Sequence, residues 1–181
     1  VLCRHVSVLD ASLPSLLYQQ RGYHVRHVIM AELLTDPGFD LLYRRVGSTF
    51  IPRENGPKAR RAVTRLGAAL DQSTVAVIFP EGRVYRPELL TSIRTRLTAS
   101  DPSRAERLRS LRHVLPIRPG GVGALLDGAP EADIVVIAHT GLDSNPDFRS
   151  LLARVPLTTP LRVTAWRIPR ADVPSEPAER D

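Results

Sequence analysis

Two runs of five uninterrupted apolar residues constrain the fold of this chain more than any other feature: Val75-Ala76-Val77-Ile78-Phe79 and Ile134-Val135-Val136-Ile137-Ala138. Strands covered on both faces have this composition, which is the mark of a parallel sheet with helices packed on either side. With flanking residues the two runs predict strands over 74–79 and 132–138. Further β-rich runs predict strands over 1–4, 24–30 and 161–168. Helical spacing fills the intervals. Leu13, Leu16 and Leu17 share one face of 12–20, and Ala62, Leu66, Ala69 and Leu70 share one of 58–70. Helices are also predicted over 103–113, 121–126 and 147–155. The alternation predicts a single α/β domain over 1–168, with a largely parallel central sheet flanked by helices. The segment 169–181 is rich in Pro, Glu and Ala and is expected to be extended or disordered. With 181 residues, 43% of them hydrophobic, the chain can bury one core, and aromatics at 5% make that core aliphatic.

The formal charge of +6 and sequence pI of about 10.4 favour an anionic partner: phosphate, nucleic acid or anionic lipid. Lys58 is the only lysine among 25 basic residues. Arginine grips phosphate bidentately and keeps its charge, although a GC-rich genome gives the same bias. Cys3 is the only cysteine, so no internal disulfide can form and a reducing compartment is the natural setting. No signal peptide or bilayer-spanning apolar run is present. The sequence opens at Val1, four residues ahead of His5, which leaves an upstream anchoring segment open.

The chemistry is concentrated in two places. His5 is followed by Asp10 in an H-x4-D arrangement between a predicted strand and a predicted helix, where ligand sites gather in α/β sheets. Histidine accepts a proton near neutral pH, and a carboxylate beside it holds one tautomer and stabilises the charged ring. On its own, Asp10 could equally cap the helix. The second place is Phe79-Pro80-Glu81-Gly82-Arg83. Pro80 ends the strand because it has no N–H to donate. Gly82 admits a sharp turn, which leaves Glu81 and Arg83 at the carboxyl edge; an ordinary turn with a local ion pair has the same composition. Gly47-Ser48-Thr49-Phe50-Ile51-Pro52-Arg53 reads alone as a loop, yet with Arg83 it supplies two guanidinium groups, a clamp suited to a phosphomonoester.

These blocks, in order, resemble the glycerolipid acyltransferases of the lysophosphatidate acyltransferase type. The family's H-x4-D is matched by His5 and Asp10, and its G-x-x-F-[IV]-x-R by Gly47, Phe50, Ile51 and Arg53. Its F-P-E-G block is matched from Phe79 to Arg83, and its proline-centred apolar block by Val114-Leu115-Pro116-Ile117-Arg118. The matches span positions 5 to 118. Many relatives read E-G-T-R-S where this chain reads Glu81-Gly82-Arg83-Val84-Tyr85-Arg86, so either Arg83 or Arg86 meets the phosphate.

The resemblance implies an O-acyltransferase in which His5 is the base and Asp10 orients it. Arg53 and Arg83 hold the acceptor's phosphate. Glu81 and Gly82 shape that pocket, Glu81 by bonding a glycerol hydroxyl or an arginine, and Pro116 lines the acyl channel. No cofactor is implied, since acyl-CoA or acyl carrier protein enters as a substrate. The expected partners are a lysophospholipid acceptor and an anionic membrane surface met through the basic stretch 94–112, with no nucleic acid. The expected place is the cytoplasmic face of a membrane, peripherally or through a missing N-terminal segment. Acylation of glycerol 3-phosphate or another lysolipid, and a non-catalytic basic lipid-binding domain, are the competing readings. Other chemistries find little support. Gly-x-Ser-x-Gly is absent, Gly121-Val122-Gly123 lacks the third glycine of a dinucleotide loop, and no His lies at metal-ligand spacing from a cysteine or acid cluster. Cys3 reads as a small buried strand residue.

Overall fold

The computed structural model of the protein describes residues 1–35, 37–52 and 56–174. The strands are β1 (Leu2–Cys3), β2 (His24–Met30), β3 (Thr49–Ile51), β4 (Thr74–Val77), β5 (Ile134–Thr140) and β6 (Arg162–Ile168). They form two three-stranded ladders, β3-β2-β4 and β1-β5-β6. The first is all parallel, whereas in the second β1 runs parallel to β5 and β6 runs antiparallel to it. A parallel bridge between Leu2 and Ile78 joins the ladders, with Cys3 N–H donating to the Ile78 carbonyl at 3.2 Å. The strand ends that follow Cys3 and Val77 therefore lie side by side in the middle of the sheet.

The helices are α1 (Ser12–Gln19), α2 (Pro37–Arg45), α3 (Pro57–Ala68), α4 (Pro87–Ser100), α5 (Pro102–Arg107), α6 (Pro119–Gly128) and α7 (Phe148–Leu152). Proline occupies the first turn of α3, α4, α5 and α6, where its missing N–H leaves no bond unmade. Val63 and Leu66 of α3 pack with Ala124 and Leu125 of α6 over Ala76 and Ile78 beside them, forming an aliphatic core. The two helices approach so closely that a side chain at Gly67 would meet the Leu125 carbonyl, and one at Gly128 the Thr64 carbonyl. A smaller cluster of Val6, Leu13 and Leu142, flanked by Leu9 and Tyr85, lies under the segment that follows β1.

The α/β expectation holds, with several local differences. β3 is a strand where the sequence read as a loop, α2 and α4 carry no prediction, and the α-helix expected over 103–113 stops at Arg107 and continues as a 3-10 turn to Ser110. The Arg94 guanidinium turns inward onto the carbonyls of Leu108, Arg109 and Leu111, so it caps that turn and is withdrawn from the basic surface expected over 94–112. In the segment after β6, Arg170–Asp172 forms a 3-10 turn. There the Arg170 amide bonds Asp133 at 2.8 Å and Val173 is buried. Residues 175–181 lie outside the described residues.

Candidate active site

His5 leaves the end of β1 and Glu81 leaves the end of β4, so strand adjacency alone brings them together. Glu81 fastens the contact. One carboxylate oxygen accepts the His5 amide at 2.9 Å, and the other accepts the Leu115 amide at 2.6 Å. The Tyr85 amide donates to the His5 carbonyl at 2.6 Å. Both sides of the His5 backbone are thus held by the block that begins at Phe79, whose ring lies 4.4 Å from the imidazole centroid. Burial pushes the Glu81 carboxyl above its ordinary range, and the Leu115 and His5 amides pull it partly back.

Asp10 is fully buried and closes the turn it belongs to. Its Oδ2 accepts the amides of Val6 and Ser7, the latter at 2.8 Å, and lies 3.1 Å from His5 Nδ1. A carboxylate can only accept, so His5 carries its proton on Nδ1 and presents Nε2 as the basic nitrogen. The His5 side chain is 23% exposed against 0% for Asp10, which leaves a partly open imidazole on a buried carboxylate. Asp10 thus holds His5 Nδ1 and the turn before it, and it does not cap the helix: α1 has Ala11 at its N-cap with no side-chain hydrogen bond.

Gly82 has φ +66°, a left-handed conformation that glycine adopts without strain. Its missing side chain makes room for Arg118: a Cβ there would lie 3.0 Å from Arg118 Cδ and 3.5 Å from one of its terminal nitrogens. The Arg118 amide donates to the Pro80 carbonyl at 2.8 Å, docking the proline-centred block against the turn. Arg83 is exposed next to Gly82. Arg86, also exposed, lies 3.5 Å from Asp147. Pro116 is half-buried between the Glu81-bound Leu115 and exposed Ile117. Arg53 lies outside the described residues.

Several site residues escaped the sequence reading. Arg118 sits inside a block noted only for its proline. The Arg4 guanidinium binds the His113 carbonyl at 3.0 Å, the His139 carbonyl at 2.6 Å and Asp143 at 2.6 Å, tying the end of β1 to that of β5. His139 is buried beside Asp10. No motif marks either of these last two: β5 supplies His139 from far along the chain, and Arg4, although it directly precedes His5, finds its partners at 113, 139 and 143. Cys3 is buried in β1, and burial, with Asp10 and Glu81 nearby, pushes its thiol up to about 12, which suits a packing role and not a nucleophile. Among the described residues, no group of three or more His, Cys, Asp or Glu is placed to hold a metal ion.

A family model described as Acyltransferase matches residues 1–140, a span that includes both strand ends, the His5–Asp10 turn and the Arg118 segment. The chain belongs to the glycerolipid acyltransferase family. No curated protein and no solved structure matches it. As an acyltransferase, the protein has the means to move an acyl group. In this acyltransferase a volume of about 630 Å³ borders the basic face of α3 and another of about 350 Å³ lies between α3 and the strands β2 and β3, and His5 lines neither. The His5 ring lies at the open carboxyl edge of the sheet.

Proposed function

We propose that this acyltransferase moves a fatty acyl group from acyl-CoA or acyl carrier protein to the hydroxyl of a lysophosphatidate-like lysophospholipid. The observation that carries the reading is the His5 Nδ1–Asp10 Oδ2 contact of 3.1 Å, with Asp10 buried and His5 partly exposed. The acceptor hydroxyl gives its proton to His5 Nε2 as its oxygen attacks the thioester carbonyl. The tetrahedral intermediate collapses with cleavage of the C–S bond, and the departing thiolate takes the proton back from the imidazolium. An ester and a free thiol result, His5 is restored, and no acyl-enzyme is required.

The acceptor's phosphate is held by Arg83 and Arg118, flanking Gly82, and by Arg53 from the second block. Arg83 is preferred to Arg86 because Arg86 has Asp147 beside it. Glu81 acts from beneath: with both oxygens on backbone amides, it sets the position of His5. Pro116 and Ile117 border the acyl-donor side. Among the described residues no helix is long and apolar enough to cross a membrane. Access to a lipid acceptor at the cytoplasmic face is assigned to the surface carrying Arg104, Arg107 and Arg109, with or without a further N-terminal segment.

The test is acceptor selectivity. Arg83→Gln and Arg118→Gln should each raise KM for lysophosphatidate about tenfold or more, the scale of a lost charge-assisted hydrogen bond. KM for the thioester, and for a monoacylglycerol that lacks phosphate, should stay unchanged. An unaltered lysophosphatidate KM in both variants would show that the phosphate binds elsewhere.

A further inference from the structure

The chemistry described so far makes no use of His139, although it is one of the few polar side chains buried in the sheet. The β1–β5 register pairs Leu2 with Val136 and Cys3 with Ile137. Two residues further along both segments, that register brings His139 level with His5, with the Asp10 carboxylate between the two rings. His139 Nε2 lies 3.3 Å from the Arg4 carbonyl oxygen and 3.3 Å from Asp10 Oδ1. Its side chain is wholly buried, and its Nδ1 has no hydrogen-bond partner.

These facts assign the ring's state. An imidazolium would leave a second N–H buried without an acceptor, an arrangement that proteins avoid. The neutral tautomer with hydrogen on Nε2 leaves only a lone pair at Nδ1. The two oxygens of Asp10 are also unequal: Oδ2 serves His5 and the amides of Val6 and Ser7, whereas Oδ1 accepts no aligned hydrogen bond. The His139 N–H, its nitrogen 3.3 Å from Oδ1, is directed at the Arg4 carbonyl and passes beside Oδ1. One N–H shared between two acceptors is a common three-centre arrangement.

We propose that His139 is a positioning residue for the Asp10 carboxylate. Its N–H, shared between Arg4 and Asp10 Oδ1, fixes the rotation of the carboxylate so that Oδ2 stays in line with His5 Nδ1. The proposal rests on the reading of His5 and Asp10 as the base and its support. A histidine that merely satisfied the Arg4 carbonyl would stabilise the fold and leave turnover untouched, and that difference is measurable.

The experiment compares His139→Gln, His139→Asn and His139→Leu in the full chain, with His5→Ala as reference. Folding is checked by thermal unfolding, kcat and KM are measured with acyl-CoA and lysophosphatidate, and the downfield proton resonance of the His5 Nδ1–H is followed by NMR. Glutamine places an amide nitrogen where Nε2 stood and should keep kcat within about threefold. Asparagine falls short and leucine has no donor, so both should lose about 10- to 100-fold in kcat, the range for a lost hydrogen bond to a charged group. KM should stay within about twofold, and the His5 resonance should shift or broaden in these two variants alone. If leucine prevents folding, the glutamine–asparagine pair decides by itself. A folded asparagine or leucine variant with the kcat and resonance of the parent, while His5→Ala is inactive, overturns the role of His139 and leaves the base intact. If His5→Ala is fully active the base reading fails, and the resonance alone then decides: a shift confined to asparagine and leucine upholds the His139–Asp10 contact, and no shift overturns it.

Discussion

Replacing Gly82 by alanine separates the backbone role of this residue from its effect on the neighbouring arginine. At φ +66°, an alanine in the left-handed region costs about 1–2 kcal/mol. The new Cβ would also lie 3.0 Å from Arg118 Cδ. Arg118 is exposed and flexible, so it yields at little further cost to stability but carries its guanidinium away. For a chain of this size each kcal/mol moves Tm by about 2–4 °C, and Gly82→Ala should therefore lower Tm by about 2–8 °C. Gly123 supplies the control. It lies inside α6 with nothing within 4 Å of its Cβ position, so alanine there should add about 0.5–1 kcal/mol of helix stability. Differential scanning calorimetry reads these opposite signs. In the thiol-release assay Gly82→Ala should raise KM for lysophosphatidate, and in an Arg118→Ala background the same change should lower Tm without raising KM further. A Gly82→Ala variant as stable as the parent, or an equal KM rise with and without Arg118, would refute the reasoning.

Glu81 makes a prediction about pH. Its carboxyl is raised above the ordinary value of 4.5 by burial, so the folded state binds this proton more tightly than the unfolded chain. The associated stability is present below about pH 4.5 and is lost as pH rises through the folded value. Urea unfolding between pH 4 and 7 should show the stability of the parent relative to Glu81→Gln declining with pH; a difference that grows would contradict the assignment. Asp71 works the other way: hydrogen bonds from Ser73 and Thr74 hold it at about 2, so its contribution disappears only below the usual carboxylate range. At the surface, replacing Arg104, Arg107 and Arg109 together by glutamine should weaken binding to anionic liposomes, since each basic residue near a membrane contributes about 1 kcal/mol. Unchanged binding in a sedimentation assay would remove this face from the membrane contact.

The parts of the fold legible in the sequence are those whose burial is continuous or periodic. β2 occupies the predicted 24–30 without change, because its β-branched residues mark a strand and its burial alternates, with Val25, His27 and Ile29 buried. α3 buries Ala59, Val63 and Leu66 at helical spacing and falls within two residues of its predicted bounds. α4 escaped for the opposite reason: in Pro87–Ser100 only Leu90 is buried, so no apolar stripe marks the helix. β3 has three residues, too few for alternation to show. In the site, His5 and Asp10 were legible because one tight turn contains both. The two backbone partners of Glu81, the crossing of Arg118 over Gly82 and the reach of His139 to Asp10 depend on strand order and register. No local pattern encodes those relations.

The central claim, that His5 is the base of an acyl transfer to a lysophospholipid, is tested most directly by thiol release from a long-chain acyl-CoA, with and without lysophosphatidate. The parent protein is compared with His5→Ala and Asp10→Asn. The account predicts release that depends on the acceptor. It should fall about 10²- to 10⁴-fold in His5→Ala, the usual contribution of a positioned base, and at least tenfold in Asp10→Asn. Acceptor-dependent release undiminished in His5→Ala, or release that proceeds equally with water alone, would contradict it.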